Sequence, residues 1–268
     1  MPLKTSSPWT RDELLIALNL YHKLPFGQIN ARLAVIIEVA ERLGRTANSL
    51  ALKLANLASL DPVQQMRGIK GMVKASKMDR LMWAEFHAHL NEAAPESEAA
   101  LRRLFSVPED CDLQVVPKKG LVVRRTVPSG DTEYTANVKL RRGQDYFRES
   151  VFNNFGGCCG VSRLAVRDLL VASHILPWAS YPAERLNVRN GLCLSRLHDA
   201  AFDRGLIAFD QNLRLVLSRK LREELSQEVI ADYFGRYEGE ILHLPDEAVP
   251  PDLAFLAKHQ AVVFDRAA

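Results

Sequence analysis

The sequence predicts an α+β protein in two main parts: an all-helical N-terminal region, and a C-terminal region mixing strand-like and helical segments. Three observations carry this. Residues 9–60 repeat apolar side chains at helical spacing in three short runs, strand-like runs such as LVVRRTV and residues 169–172 lie only beyond residue 120, and Pro95, Pro108, Pro117 and Pro128 punctuate the stretch between. At 268 residues, 47% hydrophobic and 25% charged, the chain has the length and composition of one or two globular domains with an ordinary core.

The elements follow in order. Thr10 and Glu13 form a capping box that starts a helix running to about Tyr21, and Pro25 with Gly27 stops it. A second helix covers about residues 34–43, with Val35, Ile36, Val39, Ala40 and Leu43 at helical spacing and Gly44 closing it. Thr46 caps a third. In it Leu50, Leu54 and Leu57 share a face, while Asn48, Ser49, Lys53 and Asn56 lie largely off it and are expected to leave a polar, amide-rich surface. Residues 65–80 carry Arg67, Lys70, Lys74, Lys77 and Arg80 with two glycines and read as a basic loop. Residues 78–90 read as another helix, with Trp83 and Phe86 packed on the bundle. Residues 91–140 are the least regular, with only short strand-like runs such as LVVRRTV, and read as a basic linker or strand region entering the second domain. The expected division is therefore 1–90, 91–140 and 141–268.

Composition excludes several classes. No apolar run approaches the roughly eighteen residues of a membrane-spanning helix, and MPLKTSSPWTRDELL has no apolar stretch before a small-residue cleavage site, so a cytoplasmic protein without a membrane partner is expected. Cys111, Cys158, Cys159 and Cys193 make no CxxC pair, which argues for reduced, buried thiols over disulfides or a structural zinc. The net charge of +3 hides an asymmetry: basic residues including Lys118, Lys119, Arg124, Arg125, Arg141 and Arg142 dominate residues 118–142, and acids predominate from Leu221 onward. A local positive excess attracts polyanions through counterion release, so nucleic acid is the expected partner.

Trp9, the turn LGRT and the helix ANSLALKLANL together resemble the Myb-like class of helix-turn-helix DNA-binding domains over about fifty residues. That resemblance implies a third helix lying in the major groove, with Asn48, Lys53 and Asn56 facing bases or phosphates and Lys70 and Lys74 on the backbone.

The stretch LLVASHILPWAS ends an apolar, strand-like run in a histidine just before Pro177. His174, Asn190 and His198, in the contexts SHILPW, RNGLCL and LHDAAFDRGL and after the lead-in RRGQDYFRESVFNNFGGCCGVS, resemble the HNH endonuclease family over roughly residues 141–218. The resemblance implies a ββα-metal nuclease fold, two antiparallel strands and a helix around one divalent cation, that cuts phosphodiester bonds in double-stranded DNA. The chemistry accounts for the residue types. A water nucleophile must lose a proton, which a neutral imidazole accepts near pH 7, so His174 is the expected general base. Charge building on the phosphorane is stabilised by a bound cation, with His198 as the expected ligand. Asn190, uncharged, is expected to hydrogen-bond loop backbone and present His174. Many members carry an acidic or histidine ligand directly before the base. Ser173 stands there in this chain, so Asp203 or Asp199 is expected to complete the metal site. The expected cation is Mg2+ or Mn2+, with Ni2+ the alternative. Arg141 and Arg142 are expected on DNA, and a homodimer is compatible with the sequence. By analogy the architecture suggests a restriction or defence enzyme, directed in some settings at modified DNA; the alternative is a DNA-binding regulator with a degenerate, non-cutting HNH domain.

Overall fold

The structure, a computed structural model, describes residues 7–68, 75–109, 111–125 and 134–264, with backbone alone for residue 125 and residues 134–141. It is α+β and divides into two compact units, Met1–Asn153 and Asn154–Ala268. No helix among the described residues is long and apolar enough to cross a membrane.

The first unit is built around α1 (Arg11–Lys23). Its N-terminus is closed by the Thr10–Glu13 box, the Thr10 amide donating to Glu13 Oε2 at 2.9 Å and the Glu13 amide to Thr10 Oγ1 at 3.3 Å. Helices α2 (Ala34–Leu43) and α3 (Ala47–Ala58) follow, α2 ending on Gly44 at φ 68°, a left-handed turn that only glycine adopts at no cost. After the short α4 (Pro62–Met66) come α5 (Lys77–Ala88) and α6 (Leu90–Leu104). Helix α1 packs on α3, α5 and α6, which buries Leu14, Leu15, Leu18 and Leu20 completely or nearly so.

The first part of the region expected to be a basic linker or strand region is helical. Residues 91–104 belong to α6, whose alanine-rich face (Ala93, Ala94, Ala99, Ala100) packs on α1, and Pro95 sits inside that helix. Proline removes one backbone donor near the helix start, and the burial of the following turns outweighs that loss. Strands β1 (Cys111–Val116) and β2 (Gly120–Arg125) then form an antiparallel hairpin with Val115 opposite Leu121. Glu38 of α2 accepts from the Leu121 amide at 2.8 Å on one edge. On the other, helix α7 (Tyr134–Asn154) supplies Glu149, which accepts from the Val115 amide at 3.0 Å, and Asn153, which donates to the Val115 carbonyl at 2.8 Å. The helical N-terminal part therefore extends to residue 153 instead of ending near residue 90.

Within this unit lies a buried ionic cluster. Lys23 and Glu98 pair with both side chains fully buried, and Asn19 Nδ2 donates to Glu98 at 3.1 Å and to Ser97 at 2.9 Å.

In the second unit, β3 (Leu170–His174) pairs antiparallel with β4 (Gly191–Ser195), placing His174 opposite Gly191 and Leu170 opposite Ser195. Helix α8 (Arg196–Asp203) starts where β4 ends: Ser195 caps it, and Ala201 and Phe202 are buried as the helix packs back on the two strands. Gly205, at φ 67°, ends the helix where a Cβ would come within 2.4 Å of the Val263 carbonyl oxygen. A small hairpin of β5 (Ile207–Phe209) and β6 (Leu215–Leu217), then α9 (Arg219–Glu223), α10 (Glu228–Tyr233) and α11 (Leu253–His259), complete the unit.

Candidate functional site

The two-strand, one-helix unit carries His174, Asn190 and the α8 carboxylates. His174 ends β3, half-buried. Its Nε2–H donates to the Arg185 carbonyl at 2.9 Å, and because a carbonyl only accepts, the ring's lone pair belongs to Nδ1. Burial lowers its pKa below 6.5, outweighing the Arg185 hydrogen bond and the Asp199 charge, which raise it. The ring is therefore neutral at pH 7.

Asn190 is 1% exposed and ties together the loop that follows His174. Its Oδ1 accepts from the Leu176 amide at 2.8 Å, its Nδ2 donates to the Glu184 carbonyl at 3.0 Å, and its own carbonyl accepts from the Ile175 amide at 2.9 Å. An amide is suited to this, since it donates and accepts at once without a charge to desolvate.

His198 is placed differently from its expected role as the cation's ligand. It is 0% exposed, in the first turn of α8 on the face that meets the strands. Its Nε2–H donates to the Tyr233 carbonyl at 2.8 Å, and Nδ1 faces the Ser195 hydroxyl at 2.7 Å and the Cys159 sulfur at 3.7 Å. Both nitrogens are thus committed inside the protein. Cys159 is more than apolar filler: burial pushes its thiol up, yet hydrogen bonding with His198, with Ser162 and with the Val161 amide brings it down to about 6. Ser173 alternates with His174 along β3, so it lies on the opposite face, 3% exposed.

Asp199 and Asp203 stand one turn apart on α8 and share a face. Partial burial, and then the neighbouring Asp199 charge, raise the Asp203 carboxyl. The Asp199 charge is also felt at His174. Neither carboxylate is ion-paired or hydrogen-bonded among the described residues. Two carboxylates on one face of a helix, one of them within electrostatic reach of His174, offer oxygen donors of the kind a hard divalent cation takes. Among the described residues, no group of three or more His, Cys, Asp and Glu side chains gathers as a ready-made metal cage.

The residues expected to contact DNA are scattered. Asn48 is exposed on α3, but Lys53 and Asn56 are buried. Lys53 pairs with Asp79 of α5 at 2.7 Å and lies 5.1 Å from the centre of the Trp9 ring, whose other near neighbour is the Arg45 guanidinium at 4.1 Å. The expected polar recognition face of α3 is corrected accordingly: α1, α2 and α5 pack around this helix and cover most of it. Arg142 pairs with Glu109 at 2.7 Å. Lys70, Lys74 and the side chain of Arg141 lie outside the described residues.

A strand pair backed by a helix, with a neutral histidine at the end of the first strand and an asparagine clamping the loop, defines a small ββα domain. The HNH endonuclease family profile matches residues 159–210, the segment holding β3, β4 and α8, so this segment is similar to HNH endonuclease domains. No curated protein matches the chain.

Proposed function

We propose that the chain is a divalent-metal-dependent endonuclease that hydrolyses phosphodiester bonds in double-stranded DNA, with His174 as general base. The observation that carries this is the state of His174: neutral and held at Nε2 by a backbone carbonyl, which makes Nδ1 the basic nitrogen of the ring. Asn190 positions the loop that presents it. Asp199 and Asp203 would hold the cation, which supplies Lewis-acid stabilisation of charge building on the phosphorane oxygens. A restriction or defence role rests on analogy of architecture alone, and nothing described in the chain reads a modified base.

The sealed environment of His198 favours a second reading, a DNA-binding protein whose HNH domain no longer cuts. Nicking of supercoiled plasmid, run with Mg2+, Mn2+ or Ni2+ and with EDTA, separates the two. Metal-dependent nicking is expected; DNA binding without nicking in any cation would establish the non-cutting reading.

The two α8 sites make opposite predictions. Replacing Asp199 and Asp203 together by Asn should weaken Mn2+ binding by at least about tenfold with little change in melting temperature, since oxygen ligands are lost and no buried contact is broken. Direct Mn2+ titration reads this independently of cutting. His198→Ala should instead cost about 2–4 kcal/mol of stability, by opening a cavity and stranding the Tyr233 carbonyl, and raised metal should not restore it. Restoration by metal without any loss of stability would return His198 to the role of ligand.

Activity should persist into mild acid. Because the folded pKa of His174 lies below 6.5, the base stays deprotonated as pH falls through 6.5, and the acid limb of kcat/KM should have its midpoint below that value. An acid midpoint above 7 would show that another group limits the reaction.

A further inference from the structure

One cation near His174 has no part in the hydrolysis proposed for the site. Two arginines lie in the loop joining β3 to β4. Arg189 pairs with Asp252 at 3.2 Å, whereas Arg185 has no carboxylate partner among the described residues. Its guanidinium is nevertheless fixed. Nε donates to the Trp178 carbonyl at 2.8 Å, and Cζ stands 5.1 Å from the centre of the Trp178 ring. That ring meets His174 edge-on, with centroids 5.3 Å apart, and the Arg185 carbonyl accepts the His174 Nε2–H. His174, Trp178 and Arg185 thus close a circuit of contacts within one loop, so the guanidinium is carried in fixed relation to the imidazole.

A guanidinium has five N–H donors, of which Nε uses one here. Those on Nη1 and Nη2 meet no protein acceptor among the described residues. A half-buried, ordered guanidinium whose paired donors lack a protein acceptor matches the two non-bridging oxygens of a phosphodiester, which it can bind through parallel hydrogen bonds. Stacking on the indole fixes the guanidinium plane and reduces the entropy lost on engaging the phosphate.

We propose that Arg185 contacts substrate, its Nη donors gripping the non-bridging oxygens of the phosphate attacked by the water that His174 deprotonates. Trp178 is a positioning residue that holds the guanidinium. The catalytic half of this proposal rests on the nuclease reading; the phosphate contact does not.

The test uses the full chain and its Arg185→Gln and Arg185→Lys variants. Both keep the backbone carbonyl that holds His174, so the acid limb of the pH profile should not move. Binding to a duplex oligonucleotide is measured in EDTA across a salt series, and plasmid nicking is then measured with Mn2+. In Arg185→Gln the slope of log affinity against log salt should shrink by about 0.9, one phosphate contact's worth. Its nicking rate should fall on the order of 10²-fold, as when a donor to a developing oxyanion is removed. Arg185→Lys should keep the slope but recover only part of the rate, because an ammonium cannot make two parallel hydrogen bonds. A wild-type salt slope in Arg185→Gln overturns the proposal. If the wild type nicks nothing in any cation while the slope still shrinks, the nuclease reading fails and the phosphate contact stands.

Discussion

His174→Ala should lower the rate of metal-dependent plasmid nicking by about 10² to 10⁴, the usual contribution of a positioned general base. The variant should keep its DNA affinity. His174 is half-buried at the end of β3, and its removal loses the hydrogen bond to the Arg185 carbonyl and the edge contact with Trp178 while leaving the Asn190 clamp on the loop intact. Truncation should therefore remove proton transfer without dismantling the site, and a melting curve close to wild type checks this. Nicking at the wild-type rate by His174→Ala would sink the assignment and move the base to another group near the α8 carboxylates.

The second large effect is on stability and lies in the first unit. Glu98→Ala should destabilise it by about 3–5 kcal/mol, because it strands the fully buried Lys23 ammonium without its partner. Lys23 cannot reach water without disturbing the packing of α1 against α6. The double replacement Lys23→Met with Glu98→Leu removes both charges at similar volume and should be close to neutral or more stable than wild type. Urea unfolding of the single and double variants decides it. Equal losses in both would show that the shape of these side chains matters and their charge does not.

The helices of the first unit show how far local pattern reaches. The Thr10–Glu13 box, Gly44 and Thr46 act on backbone groups within a few residues, so helix starts and stops at 11–23, 34–43 and 47–58 are visible in the sequence. The same pattern misjudged residues 91–104, where Pro95 reads as a turn. There the stabilisation comes from burial of alanines against α1, almost eighty residues away in the chain, and no local rule contains it. The face of α3 failed for the same reason: helical spacing separates Lys53 and Asn56 from the leucine stripe, but only the position of α5 and its Asp79 decides that they are covered.

At the site the division falls between residue type and environment. The sequence by itself determined that His174, Asn190 and His198 occur in an HNH order, because order and context are properties of the chain alone and the family profile covers them. It could not determine what surrounds each. Tertiary structure alone decided that His174 keeps its proton on Nε2, that His198 is sealed between Ser195, Cys159 and Tyr233, that Asp199 and Asp203 make no ion pair among the described residues, and that Arg185 is pinned beside the imidazole. The physical reason is that a side chain's donors, charge and reach are fixed by its covalent structure, whereas its pKa, burial and hydrogen-bond partners are set by groups brought to it from distant parts of the chain. Tyr233 is thirty-five residues from His198, and nothing in the spacing announces its carbonyl.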